Sequence, residues 1–291
     1  MPPLRSTSDL YSQIAQKTGY SVHRLRITKE DGTVIRNSDD DTLSGSGLTD
    51  AATIVVKDLG PQIAWRTVFI AEYLGPLLIH PAIYYARDYI YPTPSLSPSP
   101  LLPPSQLQQL SMALCLIHFL KRELETVFVH KFSAATMPAT YILRNSGYYW
   151  ALAGANMAYW IYSPNSKAQE VDELDLVSDP TLAVGLALFV VGELVNLYTH
   201  VVLANLRPAG TTVRAIPKGF SFDWVTCPNY MWEAVAWFGI ALVTKSLSTW
   251  LFVSVALFMM GSWGKKKEKR YRKEFGDKYK KKRFAMLPGI I

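Results

Sequence analysis

Cysteine is nearly absent: Cys115 lies in an apolar run and Cys227 precedes Pro228, so there is neither a disulfide framework nor a metal-binding spacing, and a reducing setting is compatible. The chain has no GxGxxG after a strand and no GxxxxGK, which argues against a Rossmann or P-loop nucleotide domain. The five histidines include no pair at metal-ligand spacing. A cleavable signal peptide is not expected, because the start is polar and the first apolar run follows residue 60; that run would act as an uncleaved insertion signal.

Charge is also sparse through the middle of the chain. Charged residues crowd into 1–58, 164–180 and the last 27 positions, and between them run stretches such as TLAVGLALFVVGELVNLYTHVVLA. A hydrophobic content of 49% decides little; its distribution predicts membrane spans, each needing about 20 apolar residues. Windows near 65–90, 106–122, 138–163 and 181–204 qualify. The run 231–260 would make a helix of roughly 45 Å, too long for one span, and Lys245, Ser246, Ser248 and Thr249 interrupt it. Two helices are expected there, about six in all.

Orientation follows from basic residues. Residues 264–283 carry twelve Lys or Arg against three acids, while the whole chain is only +7, so the basicity belongs to the tail. Lysine and arginine favour the cytosolic side, which places the tail there and, with six spans, the N-terminus too. Loops 121–137 and 205–228 are then cytosolic and basic. The uncharged 91–104 and the acidic 163–180 are luminal. A plain polybasic tail would also suit anionic lipid.

Residues 9–19 read as a short helix with Leu10, Ile14 and Ala15 on one side, followed by strand-like LRIT, TVI and TIVV around a DG turn. This small α/β module resembles the back half of a ubiquitin-like domain without its opening hairpin, a cap or docking surface rather than a catalytic unit. The expected division is 1–60 for this domain, 61–263 for an all-α polytopic bundle and 264–291 for a basic cytosolic segment.

Polar groups at membrane depth are costly and mark function or pairing. Glu193, Asn196 and His200 share one helical face, with Arg207 beyond them; they suit a polar ligand or an interhelical hydrogen-bond stripe. Asn229, Tyr230 and Glu233 stand at the cytosolic start of a span, where a tyrosine can donate a proton or belong to an interfacial belt. Lys121, Arg122, Glu123, Glu125 and His130 follow another span, as anion ligands, ion pairs or anchors; His130 reads as a surface or satisfied histidine. Trp263, Lys267 and Tyr271 recur every four residues in the tail, an aromatic and cationic face able to cover an adenine and its phosphates.

The blocks KRELETVFVHKFS, NLYTHVVLANLR, IPKGFSFDWVTCPNYMWE and YRKEFGDKY with RFAMLPGII, in this order, resemble the enoyl reductase branch of the steroid 5α-reductase family over nearly the whole chain. The resemblance implies a multi-pass enzyme of the endoplasmic reticulum membrane that uses NADPH to reduce long-chain and very-long-chain trans-2-enoyl-CoA in fatty acid elongation. Other elongation components and membrane lipid would be its partners, and nucleic acid would not. It implies cofactor contacts at Asn196, His200, Arg207, Arg214, Asn229, Glu233, Lys267 and Tyr271, and catalytic roles for Lys121 and Tyr230, with Lys121 or Arg214 lowering the pKa of Tyr230 or binding phosphate. No metal is implied. At His200 steroid reductases have an acidic residue, and at Lys267 a histidine. A steroid or polyprenol reductase, an S-adenosylmethionine-dependent membrane methyltransferase and a scaffold with a ubiquitin-like docking domain are the alternatives.

Overall fold

The computed structural model describes residues 5–49, 51–91, 101–132, 135–206, 215–279 and 284–291. Two compact units emerge, one comprising Met1–Val68 with Ala134–Ile142, the other Phe69–Ser133 with Leu143–Ile291.

In the first unit, helix α1 (Thr7–Thr18) begins at a capping box in which Ser6 and Asp9 satisfy each other's backbone N–H, and ends at Gly19 in the left-handed conformation. Strands β1 (Leu25–Lys29) and β2 (Ile54–Asp58) pair antiparallel, Ile27 opposite Val56. Tyr11, Leu25, Ile27 and Ile35 form a small core, pinned by the Tyr11 hydroxyl, which donates to Ile35 O at 2.8 Å and accepts from Ile27 N at 3.2 Å. The segment TVI, expected as a strand, lies against β1 through a single bridge of Thr28 with Val34 and hydrogen bonds from Lys29 N to Thr33 O and Ile35 N to Ile27 O, too short a ladder to count as one. A short pair that sequence reasoning did not foresee, β3 (Gln62–Ala64) with β4 (Thr136–Pro138), completes this unit.

The second unit is helical. Helix α2 (Trp65–Tyr85) carries Pro76 and Pro81 and is followed by the short α3 (Arg87–Ile90). Helix α4 (Gln106–Leu124) runs into a π-helical turn, Glu125–Val129. Helices α5 (Tyr141–Tyr148) and α6 (Met157–Ile161) are one rod joined by π-helical Tyr149–Asn156. The widened π turn rearranges carbonyl bonding, and His80 Nε2 meets Ala153 O at 2.8 Å. Then come α7 (Pro180–Asn205), α8 (Pro228–Thr244) and α9 (Leu247–Phe275). The expected break near Lys245 is present: Lys245 adopts a left-handed backbone (φ 50°) and its ammonium lies 2.7 Å from Asp179, the N-cap of α7. Among the described residues, three helices are long and apolar enough to cross a membrane: α2, α7 and α9, the last counted through Tyr279.

Packing of α7 on α8 fixes the register that matters for chemistry. A Cβ on Gly192 would meet Ala236 N at 2.5 Å, and one on Gly239 would meet Gly185 O at 2.5 Å. These glycines let the two backbones touch, the small-residue mode of helix association available where lipid supplies no hydrophobic drive. Replacing Gly239 by valine should separate them, at an overpacking cost of about 1–3 kcal/mol or more; a lowered thermal midpoint in detergent is expected, and an unchanged midpoint would refute this role.

Candidate active site

Helix α4 presents His118, Lys121, Arg122 and, one turn on, Glu125 towards α7 and α8. His118 lies between two carboxylates, its Nδ1 2.5 Å from Glu193 and its Nε2 3.4 Å from Glu233. Lys121 Nζ donates to Asn196 Oδ1 at 2.6 Å and lies 2.8 Å from Glu193 and 3.3 Å from Glu125. Arg122 donates to Glu125 at 2.6 Å and to the Tyr73 hydroxyl at 2.9 Å, with Glu233 3.9 Å from its Nε. These charges are largely or wholly withdrawn from solvent, so each depends on its partners.

The expected stripe of α7 is therefore one wall of this site. Glu193 and Asn196 are buried, and Asn196 Nδ2 donates to Asn229 O at 2.8 Å, linking α7 to the start of α8. His200 Nδ1 sits 3.1 Å from Glu125 and 3.3 Å from Arg122 NH1. Glu125, His130 and His200 gather their ligand atoms within 4.8 Å of one another, but the Arg122 guanidinium already pairs with that carboxylate. His130 is partly buried with its ring edge-on to His200, the centroids 4.7 Å apart, and burial pushes its imidazole down to about 3.

Tyr230 is held differently. Its ring packs with Ala234, Met260 and Met286 and lies 6.4 Å from the Trp263 ring. Among the described residues no hydrogen bond joins it to Lys121, which is committed to Glu193, Asn196 and Glu125. The idea that Lys121 is the cation beside Tyr230 thus finds no contact here. Lys267 and Tyr271 sit together, the ammonium 5.7 Å from the ring centroid. Tyr271 meets Tyr279 edge-on, and Tyr279 shares a 2.7 Å hydrogen bond with Thr226 beside α8. The last segment returns as a strap: Thr226 N donates to Phe284 O and Cys227 N to Ala285 O. Arg207 and Arg214 lie outside the described residues.

Beside Glu233 opens a small slot of about 20 Å³, walled by Tyr148, Tyr149, Trp237, Phe252 and Met260. Its sides are apolar and aromatic, and its acidic end joins the ion network.

Residues 135–291, more than half of the chain, match the family described as 3-oxo-5-alpha-steroid 4-dehydrogenase. The chain belongs to this family. It is 36% identical over 293 residues to a very-long-chain enoyl-CoA reductase of Dictyostelium discoideum, covering 98% of this chain and 92% of that protein. It is 30% identical over 255 residues to a trans-2,3-enoyl-CoA reductase-like protein of Mus musculus, covering 86% and 68%. The family match takes in α7 to α9 and the strap, while the charged face of α4 lies before it.

Three polar residues of this family member escaped sequence reasoning. His118 sits one turn before Lys121 in LIHFLK, and Glu72 and Tyr73 stand in the apolar TVFIAEYLGP. Glu72 accepts from Asn145 at 2.7 Å and Tyr73 from Arg122. The available signal was a lone acid or histidine within a span. Because Arg122 serves Tyr73, Glu125 and Glu233, changing it to methionine takes one cation from a layer of buried carboxylates and leaves its charge unbalanced. A loss of about 3–5 kcal/mol is expected, read as a fall in thermal midpoint or in folded yield; a wild-type midpoint would show the network dispensable.

Proposed function

We propose that this chain reduces the double bond of long-chain and very-long-chain trans-2-enoyl-CoA to give saturated acyl-CoA, with NADPH as reductant, in the fatty acid elongation cycle. The observation that carries the reading is the buried Asn229 Oδ1 without a hydrogen-bond partner at the start of α8, one turn before Glu233, which lines a small, mostly apolar slot, in a chain whose relatives bear enoyl-CoA reductase names. The slot as it stands has room for about one water, and Met259 and Met260 in its wall are the flexible side chains that can yield as an acyl chain enters.

The residues present fit the cofactor. Asn229 Oδ1 is buried without a hydrogen-bond partner, an acceptor of the kind a nicotinamide carboxamide needs. Asn196 holds Asn229 in place, with Glu233 one turn on, His200 across the ion network, and Lys267 and Tyr271 on α9 to cover the nucleotide. Arg207 and Arg214 supply further positive charge for phosphate. When bound, NADPH supplies the hydride that adds to the β-carbon of the thioester. Tyr230, half-buried against Met260 and near Trp263, then delivers a proton to the α-carbon. Lys121 acts at one remove, by fixing Glu193 and Asn196.

Six spans serve this chemistry: α2, α4, the α5–α6 rod, α7, α8 and α9. Helix α8, with 17 residues, is about 26 Å long, close to the roughly 27 Å hydrocarbon thickness of the endoplasmic reticulum membrane. Both termini face the cytosol, where NADPH and the CoA head group arrive, and the acyl chain lies among the helices. Residues 1–60 form a ubiquitin-like docking domain, and the basic segment from 264 completes the cofactor site. Other elongation components deliver the enoyl thioester.

Purified protein in detergent should oxidise NADPH when given a long-chain trans-2-enoyl-CoA, and Tyr230→Phe should lose about 100-fold in turnover with NADPH binding retained. Turnover of a steroid or polyprenol instead would reassign the substrate, and failure to bind NADPH would overturn the reductase reading. Asn229→Ala should weaken NADPH binding by roughly tenfold, the equivalent of one hydrogen bond, in a fluorescence titration; unchanged affinity would remove Asn229 from the cofactor site.

A further inference from the structure

The slot beside Glu233 contains a polar group to which the mechanism above gives no task. Tyr148 lines the slot at the end of α5, where the rod turns π-helical. Its ring stacks on Phe252 at 5.6 Å and meets Tyr149 edge-on at 5.0 Å. Its hydroxyl is buried and has no hydrogen-bond partner among the described residues. Glu233, in the same wall, is by contrast engaged by His118 and Arg122.

A phenylalanine would make both ring contacts without burying an unpaired hydroxyl, which costs stability. Buried polar groups are nearly always partnered, and the exceptions call for a reason. Here the reason is supplied by a ligand. Tyr148 lines the slot assigned to the enoyl thioester, so an acceptor on that substrate is the partner its buried hydroxyl lacks. The one strong acceptor next to the reacting carbons is the thioester carbonyl oxygen.

Resting on the proposed enoyl reduction, we propose that Tyr148 is a second hydroxyl of the active site, donating a hydrogen bond to the thioester carbonyl oxygen as negative charge gathers there. Hydride addition forms the Cβ–H bond, the electron pair of the Cα=Cβ bond moves to the Cα–C bond, and the carbonyl π pair moves onto oxygen. Tyr148 keeps its proton and stabilises that oxygen. The carbonyl then re-forms as Cα takes a proton from Tyr230, which recovers one from water. Two tyrosines thereby divide two tasks: Tyr148 holds the oxyanion and Tyr230 protonates carbon.

The test is Tyr148→Phe in full-length protein, assayed for enoyl-CoA turnover, NADPH affinity and thermal midpoint in the same detergent. Turnover should fall roughly 100-fold, the usual loss on removing one oxyanion donor, with KM for enoyl-CoA and NADPH affinity within about twofold of wild type, since the contact strengthens only as charge develops. The midpoint should be unchanged or higher, because the substitution deletes an unpaired buried hydroxyl. A merely structural hydroxyl would give the opposite pattern, a lowered midpoint with turnover falling only as folded protein is lost, and that result overturns the proposal. So does turnover within about threefold of wild type, which in an active wild type leaves the reductase reading standing. A wild type that binds NADPH but leaves the enoyl thioester unreduced overturns both.

Discussion

Burying three carboxylates against three basic side chains in one layer of a helical bundle is the constraint on which the rest of the structure depends. Glu125, Glu193 and Glu233 are each neutralised by groups on α4, namely His118, Lys121 and Arg122. Removing any one leaves charge stranded where water cannot reach it. Helices α4, α7 and α8 are therefore fixed in register by electrostatics as well as by packing. The glycine contacts between α7 and α8 add the close approach that lets Asn196 reach the backbone of Asn229. Slip either helix by a residue and the carboxylates, the amides and Tyr230 would no longer share one side.

An internally balanced layer has a consequence for ligands. Its cations are spent on its own carboxylates, so it holds no surplus to offer a polyanion. In the reading proposed, the nicotinamide end meets amides and the balanced layer, while the phosphates are met elsewhere. The exposed lysines and Arg270 along the last turns of α9, with Arg207 and Arg214, form that second reservoir. On that reading, recognition and chemistry are separated, with surplus positive charge outside the bundle and balanced ion pairs within it.

Much of this was legible in the sequence because apolar spans make polar residues conspicuous. Glu193, Asn196 and His200 announced a helical face by their spacing, and Lys245 with its serines announced the break between α8 and α9, since a cation and hydroxyls interrupt a run too long for one span. The Trp263, Lys267 and Tyr271 face was visible for the same reason. What could not be read was pairing between helices. Lys121 looked available to Tyr230 from sequence, yet Glu125 one turn on and Glu193 and Asn196 of α7 claim it, and nothing in a one-dimensional pattern ranks acceptors on other helices. His118 and Glu72 were each a single polar residue in an apolar run, with no periodicity to amplify them. The π-helical turns at Glu125–Val129 and Tyr149–Asn156 also left no trace, because they follow from how side chains such as His80 meet the backbone. The paired segments β3 and β4 are too short and too far apart in sequence for alternation to reveal them.

Helix α9 shows how the cofactor site proposed above can be assembled from a spanning helix. Its 29 residues span about 44 Å, well beyond a hydrocarbon core of roughly 30 Å, so one unbroken element leaves the apolar bundle and carries on as a basic, aromatic face. Because the helix does not break at Trp263, the positions of Lys267 and Tyr271 are set by the packing that holds Trp263 beside Tyr230. The strap at Phe284 and Ala285 and the Thr226–Tyr279 hydrogen bond then tie the far end of this segment back to the start of α8. A helix end alone would fray; tied at both ends, it can hold a large ligand against residues buried in the bundle. In the proposed site, the rigidity that a Rossmann sheet gives soluble dehydrogenases would come from the spanning helix itself.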